Sequence, residues 1–296
     1  MAHPDCVHID LDGAWPADAT PAGSYVDVRS WGPRLRYSTT AREIEAFHEF
    51  IRARCARFTL FGSGDFHHLS ALWLRRVAEP VTLVSFDNHP DWDIRPPHWG
   101  CGTWINRALA LPTVRRAAIW GCGNFELNWP GYLFVSPSAL RARRLAVWPW
   151  TERLKPSGRK RWPGITRADW REKFSAFAHE LSGGKVYVTV DLDCLETQES
   201  ATNWEQGLYE AADIAWALGE LRRHAEIVGG DLCGACSEPR YARWLQKLGA
   251  DLDHPSPATV SAADAAARNE RAFRTIWPAL TARDQNHAGT DEQHAE

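Results

Sequence analysis

Residues 81–93 read VTLVSFDNHPDWD, a run suited to a buried strand that passes directly into Asp87, His89, Asp91 and Asp93. In an extended chain, residues i, i+2 and i+4 face one side, so Asp87, His89 and Asp91 can converge on one point as the chain leaves a sheet. Burying such carboxylates without counter-charge costs roughly several kcal/mol per ion, and a divalent cation is the usual remedy. The competing reading is a solvated turn that needs no partner. Other strand ends with matching ligand types decide between the two.

Two such ends exist. VTVDLDCLE (188–196) closes an apolar run on Asp191 and Asp193 with the same two-residue spacing, and GSGDFHHLS (62–70) places His67 and His68 just beyond a strand and a glycine turn. Further apolar runs occupy 7–13, 57–65, 116–123 and 225–234, and amphipathic patterns predict helices over 69–79 and 209–225. Short strands alternating with helices imply βαβ units and an α/β fold with a mostly parallel sheet. The strands are nearly continuous in Val, Ile, Leu and Phe, as expected of a sheet covered on both faces. In such sheets ligands bind at the carboxyl ends of the strands, where these polar groups fall.

The remaining composition narrows the function classes. With 34 Lys and Arg against 37 Asp and Glu, the chain lacks the basic footprint of a nucleic-acid binder, and the expected partner is a small-molecule substrate. No apolar run reaches the length of a membrane span, and the first residues lack the pattern of a signal peptide, so the expected location is the cytoplasm. Seven scattered cysteines are odd in number and argue against a disulfide framework. A single domain is expected over 1–253, with a surface insertion at about 149–170. Beyond it, a C-terminal extension over 254–296 reads as helical around 260–282 and then as a disordered polar end. The 16 tryptophans are assigned to packing and rim contacts.

The ordered series Gly-Ser-Gly-Asp-Phe-His-His, Asp-Asn-His-Pro-Asp and Val-Asp-Leu-Asp, within about 57–235, resembles the arginase and agmatinase (ureohydrolase) superfamily. The resemblance implies a three-layer α/β/α, arginase-like fold, a homo-oligomer, and two divalent ions, most often Mn2+, sharing a hydroxide that attacks a non-peptide C–N bond. Carried over residue by residue, Asp87 and Asp191 would bridge the ions. His67, or His68, and Asp91 would complete one ion, and His89 and Asp193 the other. Phe66, inserted after Asp65, leaves the choice of histidine open.

The departures bear on the substrate. In HWGCGTWINRAL (98–109), Cys101 stands where agmatinase-like enzymes carry a histidine, and His98 is a possible substitute; with Asp91 these are the candidate catalytic groups. In VGGDLCGACSEP (228–239), Asp231 is retained but Gly234 replaces the family's guanidinium-holding glutamate. Asp231, Glu205 and Thr202 are the candidate substrate contacts. The expected function is a binuclear metal hydrolase acting on a guanidino, amidine or related small substrate. A non-catalytic metal-binding member of the fold is one alternative. Another is a haloacid-dehalogenase-type phosphatase using Asp10, from the short DxDG of HIDLDGAW, although no convincing lysine or second acidic motif accompanies it. Cys233 and Cys236 form a lone CxxC, read as two loop cysteines.

Overall fold

Among the described residues, eight strands form one sheet in the order β2-β1-β3-β8-β7-β4-β5-β6, and each of their pairings is parallel. They span Cys6–Asp10 (β1), Tyr25–Asp27 (β2), Phe58–Phe61 (β3), Val81–Phe86 (β4), Val114–Trp120 (β5), Leu145–Trp148 (β6), Lys185–Asp191 (β7) and Glu226–Cys233 (β8). The computed structural model describes residues 5–20, 24–255 and 260–282. The polar end expected to be disordered lies outside the described residues.

Alternation along each strand sends side chains into two separate cores. Leu83, Ala117, Ile119 and Tyr187 join one core, whereas Val84, Phe86, Ala118, Trp120, Val186 and Val188 join the other. Helices Ala41–Ile51 and Trp104–Leu109 cover the first face. The second is covered by Trp170–Glu180, Ala211–His224 and Ala262–Thr281, giving the expected three layers. Helix Ala211–His224 forms where Ile214, Ala217, Leu218 and Leu221 repeat at helical spacing, and the Asp213 carboxylate accepts from the Glu210 backbone N–H at 3.1 Å to cap it.

Strands β2 and β6 are absent from the sequence-based expectation because each is an edge strand of three or four residues, too short for a pattern. The strands that were expected end earlier than their apolar-to-acid runs suggest. The predicted helix over 69–79 is one α turn, Ser70–Trp73, flanked by 3-10 turns.

The segment 149–170 is not a peripheral insertion. Trp150, Leu154, Trp162, Ile165 and Trp170 are all buried, and the Trp162 indole donates to the Leu127 carbonyl at 3.1 Å. Tryptophan is used in the same way elsewhere: Trp120 stacks on Trp148 with ring centroids 4.7 Å apart. Helix Ala262–Thr281 likewise enters the core through Ala272, Ile276, Trp277 and Leu280. Its Asn269 side chain bonds both the N–H and the carbonyl of Ala201, at 2.8 and 2.9 Å. The end of the chain thereby anchors the loop that follows β7.

Candidate metal centre

Strands β3, β8, β7 and β4 lie side by side, and the residues that follow or end them meet over their carboxyl ends. Asp87 is the first residue beyond β4 and Asp191 is the last of β7. Beyond Phe86 the loop is held by one acid of its own and one from the loop after β7: the Asp87 carboxylate accepts from the His89 N–H at 2.7 Å, and Asp193 accepts from the Asn88 N–H at 3.0 Å. Asp91 reaches the centre by a left-handed turn, φ 46°, rather than by strand alternation, and its carboxylate accepts from the Trp104 indole at 2.6 Å. Aspartate tolerates that conformation better than most residues, and strain of this kind gathers at functional sites. Asp93, the fourth group of the run, instead pairs with Arg95.

His67 Nδ1 lies 3.1 Å from Asp87, 3.4 Å from Asp91 and 3.5 Å from Asp191. On its other side Nε2 is 2.9 Å from Thr189 Oγ1, whose own proton goes to Asp231 at 2.5 Å. Thr189 must therefore accept from His67 Nε2–H, which leaves Nδ1 facing the carboxylates. His89 places Nδ1 2.8 Å from Asp193, while its Nε2 makes no hydrogen bond among the described residues and faces Glu205 at 3.5 Å. His67, Asp87 and Asp91 form one set of donor atoms lying within 4.8 Å of one another, and Asp87, His89 and Asp193 form a second. The two sets share Asp87.

The electrostatics ask for positive charge. Burial, with Asp87 beside it, pushes Asp91 up to about 7. Burial, with Asp191 and Asp87 as neighbours, raises Asp193 well above the carboxylate range. Burial would lower both histidines, but contacts with Asp87 and Asp91 raise His67 well above its ordinary value, and Asp193 does the same for His89. Burial would likewise raise Asp87, yet the two histidines hold it well below the usual range. Asp87 Oδ2 is buried and faces His67 Nδ1 at 3.1 Å, an ion-pair contact that does not make a well-formed hydrogen bond. Carboxylates that must otherwise borrow protons, crowded with mixed oxygen and imidazole donors, fit a divalent cation.

A cavity of about 260 Å³ opens onto this cluster. His67, Asp87, His89, Asp91, Asp191 and Asp193 all line it, and so do Cys101 and Glu205. His68 is turned away: it is absent from the lining, and burial pushes it down to about 3. His98 is exposed and outside the lining, so it does not stand in for the missing histidine. Thr202 is also outside; its hydroxyl accepts from the Trp204 N–H and donates to the Trp204 carbonyl, shaping the turn that presents Trp204 and Glu205.

Asp231 is corrected from a substrate contact to a support. It lies fully buried behind His67 on β8 and accepts from Ser70 at 3.0 Å, Tyr187 at 2.7 Å and Thr189. Asp10 and Asp12 are likewise tied up. Asp10 accepts from the Gly13 N–H at 2.7 Å and the Tyr25 hydroxyl at 2.8 Å, Asp12 accepts from Ser237 and Arg36, and neither lines the cavity. The phosphatase alternative has no open nucleophile there.

Sequence reading missed Tyr37, Glu126, Trp204 and Asp253, which also line the cavity, because each sits in a loop or at a helix end without a motif. Cys233 was treated as a loop residue, yet it ends β8 and its thiol donates to Asp191 at 3.5 Å. Burial pushes the Cys101 thiol well up, and the nearby Asp65 and Asp91 charges reinforce the shift, so it is not an activated nucleophile. With iodoacetamide at about pH 8, exposed Cys236 is expected to be labelled and Cys101 to remain unmodified, as read by peptide mass spectrometry. Rapid labelling of Cys101 would reverse that assignment.

Among the described residues no helix is long and apolar enough to cross a membrane. No protein-family model matches the chain. An uncharacterized protein of Thermotoga maritima is 24% identical over 202 residues, which make up 68% of this chain and 66%, just under two thirds, of that protein. Among solved structures, proclavaminate amidino hydrolase from Streptomyces clavuligerus matches with a TM-score of 0.55 at 12% identity, over 94% of this chain and 93% of that one. Arginase from Bacillus subtilis gives 0.55 at 10% identity, over 95% and 99%. Arginase from Medicago truncatula gives 0.50 at 13%, over 93% and 85%. At such identities the likeness is one of architecture, and the chain has the arginase-like fold shared by these ureohydrolases.

Proposed function

We propose that the protein is a divergent member of the ureohydrolase superfamily, a binuclear metal-dependent hydrolase of a non-peptide C–N bond in a small guanidino, amidine or related substrate. The observation that carries this reading is the pair of three-donor clusters sharing Asp87 at the mouth of a cavity. His67 and Asp91 would hold one ion and His89 and Asp193 the other, with Asp87 and Asp191 common to both. Oxygen and imidazole donors suit Mn2+. Two such ions, when bound, lower the pKa of a shared water and polarise the bond to be cleaved.

The chain's own residues do the rest. Thr189 fixes the His67 imidazole by accepting from Nε2–H, and His89 presents Nδ1 to Asp193 at 2.8 Å. The Trp104 indole orients Asp91 by donating to its Oδ2 at 2.6 Å. Trp204 and Tyr37 wall the cavity and reduce access of bulk water.

The test is elemental analysis of the purified protein, followed by a screen for urea or ammonia release from guanidines and amidines. About two equivalents of Mn, Fe or Zn are expected in wild type, with loss in both Asp87→Ala and Asp191→Ala. No stoichiometric metal after reconstitution with each ion would sink the reading. Full metal content with no turnover across the panel would favour the non-catalytic alternative, for which Gly234 and Cys101 at family functional positions already speak.

A further inference from the structure

The family's substrate carboxylate cannot stand at its usual place in this chain. Gly234 has φ +104°, and a Cβ added there would lie 2.2 Å from Asp191 Oδ1 and 2.5 Å from the Leu192 nitrogen. Position 234 is therefore closed to any side chain, glutamate included. The cavity nevertheless keeps a surplus of acid. Two divalent ions would balance Asp87, Asp91, Asp191 and Asp193, and Arg95 pairs with Asp93. Glu126, Glu205 and Asp253 remain on the lining. Glu205 faces His89, and Asp253 accepts from the Tyr37 hydroxyl. Glu126 differs from both: its Oε2 is buried with no hydrogen-bond partner among the described residues.

We propose that Glu126, from the loop after β5, is the specificity-determining carboxylate that pairs with the cationic head of the substrate, on the opposite side of the centre from the closed position 234. This assignment rests on the proposed hydrolase reading of the same cavity. The loop is built to hold the group still. Asn124 caps the 3-10 turn Phe125–Leu127 by accepting from the Glu126 N–H at 3.2 Å, and Gly131 packs so tightly that a Cβ there would lie 2.6 Å from Glu126 Cα. Gly123 and Asn124 both donate to the Asn88 carbonyl, at 3.0 and 3.3 Å, which ties this loop to the one carrying Asp87, His89 and Asp91. A buried carboxylate is costly until it meets a charge-assisted donor, and a guanidinium or amidinium offers paired N–H groups in one plane. Tyr37 and Trp204, on the same lining, add aromatic rings, which suit a delocalised cation. Burial pushes Glu126 up to about 8, the direction expected of an acid that lacks its partner.

The test uses metal-loaded protein and two matched probes, butylguanidinium and its neutral isostere butylurea, with binding read by calorimetry. Wild type is expected to prefer the guanidinium by about tenfold or more, and Glu126→Gln to lose about tenfold in guanidinium affinity while butylurea stays within about twofold. Glu126→Asp, which keeps the charge on a shorter arm, is expected to fall between them, and thermal melts together with metal content establish that both variants are folded and loaded. Unchanged guanidinium affinity in Glu126→Gln, a parallel loss for both probes, or failure of wild type to bind or discriminate the guanidinium overturns the assignment. Because metal content is measured separately, two bound equivalents with no Glu126 effect defeat this assignment alone. Absence of metal defeats the hydrolase reading itself.

Discussion

Gly234→Glu, which restores the side chain that the ureohydrolase pattern carries at this place, is expected to dismantle the centre rather than improve it. The substitution forces a non-glycine residue to φ +104° and drives its Cβ to 2.2 Å from Asp191 Oδ1. Backbone strain of this type costs about 1–3 kcal/mol, and overpacking adds about 1–3 kcal/mol. Together they remove a large share of a typical stability of about 5–15 kcal/mol. Because the Cβ meets a proposed bridging carboxylate, metal is expected to be lost along with stability. Gly234→Ala separates shape from charge and is expected to show most of the same loss, about 3–10 °C in melting temperature by the usual scaling. Thermal melts and metal content of both variants check this. A stable, metal-replete Gly234→Glu that gains guanidine hydrolysis would show that the β8 exit can open, and would reinstate position 234 as the substrate carboxylate.

Asp231→Ala is expected to be nearly as damaging, for a reason unrelated to substrate. The Asp231 carboxylate accepts three hydroxyl protons, from Ser70, Tyr187 and Thr189, in a fully buried setting. Its removal strands all three donors, each at about 1–3 kcal/mol, so a loss of about 3–5 kcal/mol in stability is expected. The milder Asp231→Asn is the sharper test. With an amide at 231, the Thr189 proton loses its strong acceptor and the hold on His67 Nε2 weakens. Supports of this kind are typically worth about 10–100-fold in metal affinity. A fall in metal affinity of that size with an unchanged substrate KM at saturating metal is the expected result. The reverse pattern, a raised KM with normal metal affinity, would return Asp231 to the cavity as a substrate contact.

The contrast between His67 and His68 shows where sequence reading stops. Both follow the same strand and the same glycine turn, and the inserted Phe66 made the family pattern ambiguous. Only the 3-10 turn Gly64–Leu69 puts one imidazole against Asp87 and buries the other away from the cavity. Glu126 is a harder case. It belongs to no motif, and its importance arises because the loop after β5 is bonded to the loop after β4, 35 residues earlier by the separation of Asn88 from Gly123.

The sequence by itself determined six of the eight strands described, the alternation with helices, and the placement of acids and histidines at strand ends. These depend on local periodicity and on the high cost of burying unpaired charge, both readable from neighbours in the chain. Tertiary structure alone decided that β8 inserts between β3 and β7, so that Asp231 faces Thr189 instead of the cavity and Gly234 lies against Asp191. It also decided that the C-terminal helix steadies the loop bearing Glu205. Strand order and loop-to-loop contact join residues far apart in sequence, and their energies come from packing and hydrogen bonds that exist only once the sheet is assembled.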